Sequence, residues 1–245
     1  MQDCRVTRYW ISRGKRCAME KAMRHLSAHR ERLDDALARY FYDVGMPGTA
    51  LKIRGNNMTE GIDISHYQQG LQFHDVVAAG KQFVYIKATQ GLSGVDPCFA
   101  DFRARAHDTD LLVGPFHFFL PYVDAKAQAE HFFTVAQPQT GELIAMLDTE
   151  TDAPNVADES MAFAMRIKEL SGKLPWIYTS DSMFTERFTE TFNIDWPRWL
   201  ARYGHSPDNP CSMWQFSQSG RIGGINVDCD HFVGTLAELK TKYTY

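Results

Sequence analysis

No apolar run in this 245-residue chain approaches the roughly 18–20 residues that span a bilayer, which excludes a helical membrane protein. The first residues, MQDCRVTRYWISRGKRC, lack the unbroken apolar core of a secretory leader, so synthesis in the cytoplasm is expected. Cysteine is scarce: Cys4, Cys17, Cys98, Cys211 and Cys229 are odd in number, far apart and never spaced C-x-x-C. That pattern argues against a disulfide framework and fits small buried side chains or free thiols in a reducing compartment. The nucleophile elbow G-x-S-x-G, the dinucleotide loop G-x-G-x-x-G, the Walker loop and the zinc helix H-E-x-x-H are all missing. A serine hydrolase, a nucleotide-binding enzyme and a zinc protease therefore find no support. His66, His117, Asp148, Glu150 and Asp228 are residue types that could surround a divalent ion, but no paired-ligand spacing joins them. Neither a metal nor another cofactor is expected. A net charge of −4 gives nucleic acid no general attraction.

The charge is unevenly spread: residues 1–60 hold 12 Lys and Arg against 7 Asp and Glu, and the remainder 14 against 23. From Cys17 to Tyr42 there is neither proline nor glycine, and Met19, Leu26, Leu33 and Tyr40 recur every seven residues with Met23 and Leu37 between them. This period predicts one long amphipathic helix, with Arg30 interrupting the seam. Residues 1–45 thus read as a basic helical segment that Gly45, Pro47 and Gly48 bring to a stop. Residues 46–60 read as a linker, loosest at Gly55, Asn56 and Asn57. Three roles suit the segment: docking onto delivery machinery such as a secretion or phage particle, contact with an anionic envelope surface, or packing and oligomerisation. Glu20, Glu31, Asp34 and Asp35 weaken the envelope role.

From Gly61 onward the pattern changes to short β-rich runs. Strands are predicted at 61–65, 83–88, 111–119, 143–150, 175–180, 198–203, 211–217 and 227–233, with helices at 97–107, 125–135 and 156–170. Alternating strand and helix implies an α/β fold with a parallel sheet, and about eight strands imply a TIM-like barrel. The later strands lie too close together for full helices between them.

The stretch LIAMLDTETD carries the chemistry. Side chains alternate along a strand, so Asp148 and Glu150 share a face, roughly 6–7 Å apart. Two acids at the end of a buried strand are costly unless solvated or used. Glycoside hydrolysis uses such a set, one carboxyl protonated and another ionised beside it, and mutual repulsion raises at least one pKa. GIDIS places Asp63 opposite to Ile62 and Ile64, and INVDCDHF brings Asp228 to the last strand, beside the first in a closed barrel. Three strands thus offer acids to one rim. Tyr67, Phe118, Tyr122, Tyr178, Trp199 and Trp214 fall at or just after strand ends, where flat rings stack on sugars and suit a long glycan groove.

These residues stand in motifs, GIDISHYQ, FVYIKATQG, GPFHFF, AMLDTE, WIYTS, WLARY and MWQFSQSGRIGGINVD, whose order and spacing resemble family 25 of the glycoside hydrolases, the N-acetylmuramidase lysozymes. The resemblance makes 61–245 the catalytic domain and implies a barrel of five β/α units closed by three further strands. It implies cleavage of the β-1,4 bond between N-acetylmuramic acid and N-acetylglucosamine, with Glu150 as general acid and Asp148 polarising the substrate's 2-acetamido group for attack on the anomeric carbon; direct displacement by water is the other route it leaves open. Asp63 and Asp228 would complete the acidic floor, and Tyr67, Lys87, His117, Phe118, Tyr178, Trp199, Trp214 and Gln215 would bind substrate. The implied partner is a peptidoglycan strand, reached from the cytoplasm after release or delivery. Both a phage endolysin and a secreted effector with an immunity protein suit that route. A non-catalytic wall-binding barrel and a chitinase are the other readings, the first disfavoured by the intact Asp148/Glu150 pair. Two positions depart from the family's pattern: Gln90 stands where it has an acid, and Asp230 where it has Asn.

Overall fold

The computed structural model describes residues 58–245 apart from Ile194. The predicted helix at 1–45 and the linker as far as residue 57 lie outside the described residues. Strand β1 (Met58–Ile64) begins the barrel, so Met58, Thr59 and Glu60 are strand and not the end of a linker. They pair with Val233, Phe232 and His231. Next come α1 (Phe73–Ala78), β2 (Phe83–Gln90), a two-residue β3 (Gly94–Val95), α2 (Phe99–His107), β4 (Leu112–Phe118) and α3 (Ala125–Ala136). The second half holds β5 (Met146–Asp148), α4 (Val156–Ser171), β6 (Trp176–Ser180), a short α5 (Asp181–Met183), β7 (Arg198–Ala201), β8 (Met213–Ile222), β9 (Ile225–Val233) and α6 (Leu236–Lys242).

Strands β1, β2, β4, β5, β6, β7 and β8 run parallel in that order. Antiparallel β9 closes the ring between β8 and β1. This is a TIM-like barrel of five β/α units completed by three strands, with β3 appended to the end of β2. Closure by an antiparallel strand follows from the two-residue link at Gly223 and Gly224. Both glycines have positive φ, 56° and 84°, as a tight hairpin demands, whereas a parallel neighbour needs a long crossover.

The two faces of each strand fill two cores. Outward residues such as Ile62, Val84, Leu147 and Ile177 pack with the buried faces of the helices. Inward residues fill the barrel with large rings: Phe83, Tyr85, Phe116, Trp176, Tyr178, Trp199 and Phe232. Gly61 makes room for them, since a Cβ there would stand 2.2 Å from the Phe83 ring. The chain end plugs the bottom of the barrel. Thr235 and Glu238 form a capping box that starts α6, Leu239 is buried in the interior cluster, and Tyr243 packs on Trp176 at 4.4 Å. With that end plugged, the C-terminal ends of the parallel strands form the open mouth.

Candidate active site

Period-two alternation puts Asp63 (β1), Tyr178 (β6), Gln215 (β8) and Asp228 and Asp230 (β9) inside the barrel toward its mouth. Asp63 lies directly opposite Asp228 in register, and Gln215 opposite Asp230. Gln215 organises the group. Its Oε1 accepts from the Tyr178 hydroxyl at 3.0 Å and the Tyr203 hydroxyl at 2.8 Å, which fixes the amide orientation, and its Nε2 donates to Asp63 Oδ2 at 2.8 Å. Asp148 ends β5 and is buried. Its Oδ1 meets no hydrogen-bond partner among the described residues, while its carboxyl group hydrogen-bonds with that of Glu150. Glu150 is two residues beyond, past the strand end, and exposed at the mouth.

Crowding of acids decides the electrostatics. Burial first, then the charge of Asp228, pushes Asp63 up to about 7, against the hydrogen bonds from Gln215 and Asp230. Burial and Glu150 push Asp228 up to about 6. Asp148 is raised well above the carboxylate range by burial, Glu150 and Asp63, with Lys87 opposing. The Tyr203 phenol rises to about 12 through burial and the nearby carboxylates. Lys87 donates to Gln90 Oε1 at 2.8 Å and lies 4.5 Å over the Phe118 ring, so Gln90 leaves the ammonium charge unneutralised.

These shifts bear on stability with a definite sign. A carboxyl whose pKa is higher folded than unfolded favours the fold below the unfolded value and withdraws that support as pH rises through the folded one. For Asp63 the window runs from about 4 to about 7. Asp63→Asn is therefore expected to leave the melting temperature unchanged near pH 4 and to raise it at pH 8, by an amount on the order of 2–4 kcal/mol of stability. Thermal melts at the two pH values check this, and an equal change at both would refute it.

Not every expected binding residue joins the site. His117 points out of the barrel, wedged against Phe163 at 4.9 Å and bonded to Thr89 and Gln128. Burial lowers its pKa to about 3, so it is a neutral core residue and makes no substrate contact from there. Trp199 does face inward but is fully buried, edge-on to Tyr85 at 4.8 Å, and serves as floor beneath the acids. Trp214 lies on the opposite face of β8 from Gln215. Its Nε1 donates to the Arg202 carbonyl, and its ring packs with Phe216 and His231. Tyr67, 81% exposed on the turn after β1, and Tyr122, whose hydroxyl donates to the Asp152 carbonyl, stand free on the surface as sugar platforms require. Tyr203 is the residue that sequence reading missed. Its signal was the alternation Trp199, Ala201, Tyr203, which carries the inward face one step past the end of β7.

A TIM-like barrel with three strands delivering carboxyl groups to one mouth has the architecture of a glycoside hydrolase, and known proteins specify which. The model of glycosyl hydrolases family 25 matches residues 62–225, and the chain belongs to that family. The chain is 31% identical over 206 residues to the uncharacterised protein YegX of Escherichia coli (strain K12), covering 78% of this chain and 75% of YegX. It is 29% identical over 208 residues to the N,O-diacetylmuramidase of Chalaropsis sp, covering 74% of this chain and 99% of that protein. The crystal structure of the bacterial lysozyme from Streptomyces coelicolor superposes with a TM-score of 0.69 at 28% identity, over 75% of this chain and 95% of that one.

Proposed function

We propose that residues 61–245 form a peptidoglycan hydrolase that cleaves the β-1,4 bond between N-acetylmuramic acid and N-acetylglucosamine. The observation that carries this reading is the Asp148/Glu150 pair: two carboxyl groups in hydrogen-bond contact, one buried and one exposed at the mouth. Exposure at the mouth supports Glu150 as the group that meets a glycosidic oxygen in the groove. Asp148 holds a buried oxygen with no protein donor, which suits the N–H of a substrate acetamido group.

In the resting site the pair shares a proton, favoured on Asp148 by burial. An acetamido N–H arriving at Asp148 favours its ionised form and moves the proton to Glu150. Glu150 then protonates the leaving oxygen as the C1–O bond breaks, and the acetamido carbonyl oxygen attacks C1. Asp148 stabilises the positive charge that spreads onto the acetamido nitrogen. Water next gives a proton to the Glu150 carboxylate and attacks C1, reopening the ring with net retention. Asp63, held by Gln215, and Asp228 line the floor of the cleft and add to the field that keeps protons in the site. Lys87 and Phe118 border the same mouth, with Tyr67 at its edge.

The test is mass spectrometry of peptidoglycan digested in parallel by the wild type and Glu150→Gln. Fragments with muramic acid at the reducing end, made by the wild type alone, are expected. Fragments with N-acetylglucosamine at the reducing end would overturn the bond assignment, and equal fragments from both proteins would overturn the role of Glu150.

A further inference from the structure

Beneath the carboxyl groups at the mouth lies a fifth, Asp230, which takes no part in the reaction just described. It is fully buried. Its strand neighbours are Gly61, which brings no side chain, and Gln215, whose amide is already committed to Tyr178, Tyr203 and Asp63. Neither carboxyl oxygen of Asp230 accepts an N–H or a hydroxyl from the described residues. The polar group within hydrogen-bond reach is another carboxyl group, that of Asp63.

Two carboxyl groups in contact require a proton between them, and the surroundings decide which one keeps it. Asp63 is nearer the mouth and receives the Gln215 N–H, which supports a negative charge. Asp230 has no such donor and is fully buried on the strand face that two residues on carries Phe232 into the interior cluster, where an ionised carboxylate is very costly. We infer that Asp230 is a positioning residue, held as a neutral carboxylic acid that donates its proton to Asp63 and, together with Gln215, fixes that carboxylate at the floor of the cleft. The role of Asp63 at that floor rests on the proposed hydrolase reading; the hydrogen bond itself does not.

The groups facing Asp230 support the assignment. Asp63 comes from β1, Asp228 and Cys229 from its own strand, Tyr85 from β2 and Tyr203 from beyond β7, and none of them is cationic. Burial, then Asp63 and Asp228, push the Asp230 pKa well above the ordinary range. A protonated acid here acts as an amide would, presenting a donor to Asp63, but its donor is lost if the proton is removed.

Carboxyl carbon NMR of the full chain labelled at aspartate tests this without relying on activity. Among the aspartate signals that stay at the neutral-acid position through pH 8, one is expected to vanish in Asp230→Asn and to persist in Asp148→Asn. The Asp63 signal, assigned with Asp63→Asn, is expected to titrate at a higher pH in Asp230→Leu, which has no donor, by at least half a pH unit. Asp230→Asn, whose Nδ2–H restores a donor, should return that midpoint toward the wild-type value. The acid limb of turnover on peptidoglycan, where Asp63 gains its charge, should shift in the same order. The inference is overturned if all aspartates are ionised by pH 7, or if the Asp63 midpoint is the same in the wild type and Asp230→Leu. Failure of Glu150→Gln to lose activity would strike the hydrolase reading alone and leave these signals unaffected.

Discussion

Replacing Glu150 by Gln is expected to lower turnover on peptidoglycan by about 10²–10⁴-fold, the range that a positioned general acid contributes. Gln keeps the length and hydrogen-bonding capacity of the side chain and removes the transferable proton and the charge left behind when it goes. Glu150 is exposed and past the end of β5, so no core contact is lost and the melting temperature should not fall. Its charge is, moreover, among the causes that raise Asp63, Asp148 and Asp228, so the substitution relieves the cluster and those pKa values fall. Binding to insoluble wall should stay within a few-fold of the wild type, because the floor and rim are untouched. Steady-state turnover together with wall pull-down measures both quantities. Turnover within a few-fold of the wild type would sink the acid assignment, whereas loss of binding with turnover would point to a damaged groove.

Much of the molecule was legible in the sequence because its signals are local. The helices predicted at 97–107, 125–135 and 156–170 appear as Phe99–His107, Ala125–Ala136 and Val156–Ser171. Alternation set Asp63 opposite to Ile62 and Ile64, and in the barrel that face is the inward one. Strand-end positions and family resemblance, which supplied the other binding residues, say less where closure of the barrel decides the meaning of a face. His117 and Trp214 occupy outward positions whose polar atoms are satisfied by Thr89, Gln128 and the Arg202 carbonyl, contacts that a linear pattern does not reveal. Trp199 faces inward as the pattern requires, yet depth along the barrel separates floor from groove, and depth depends on the stagger of neighbouring strands. The predicted strand 143–150 shrinks to three residues for a related reason. Leu143 bridges to Thr244 and Ile144 donates to the Tyr243 carbonyl, so the chain end replaces a barrel neighbour there.

Asp230 joins the two scales. Its position in INVDCDHF marked it only as an acid where the family has Asn, whereas the fold makes it a hydrogen-bond partner that lowers the pKa of Asp63 against the effect of burial. Its contact with Asp63, two residues along β1 from its register partner Gly61, could not be read without the pairing of β1 with β9.

For Asp148→Asn the expected outcome separates activity from stability. Turnover should fall by roughly 10²–10³-fold, the size of effect seen when one group aimed at a developing charge is removed. Asn still fits the site and still accepts an N–H, but it carries no negative charge to meet the one spreading onto the acetamido nitrogen. It also cannot exchange a proton with Glu150. The folded protein should nonetheless become more resistant to heat at pH 8. Asp148 is buried with an unpartnered Oδ1 and a strongly raised pKa, so its ionisation opposes folding as pH rises, and the amide removes that cost. Most structural damage would lower both quantities together, so this divergence is diagnostic. Two further measurements tie the loss to the acetamido group. Proton NMR of the first product formed by the wild type should show the β-anomer, since attack by the substrate's own oxygen followed by water retains configuration. Glycan stripped of its N-acetyl groups should be cleaved by the wild type as poorly as intact glycan is by Asp148→Asn. An α-anomer, or ready cleavage of the stripped glycan, would replace substrate assistance with direct displacement by water and make Asp148 the base that activates it.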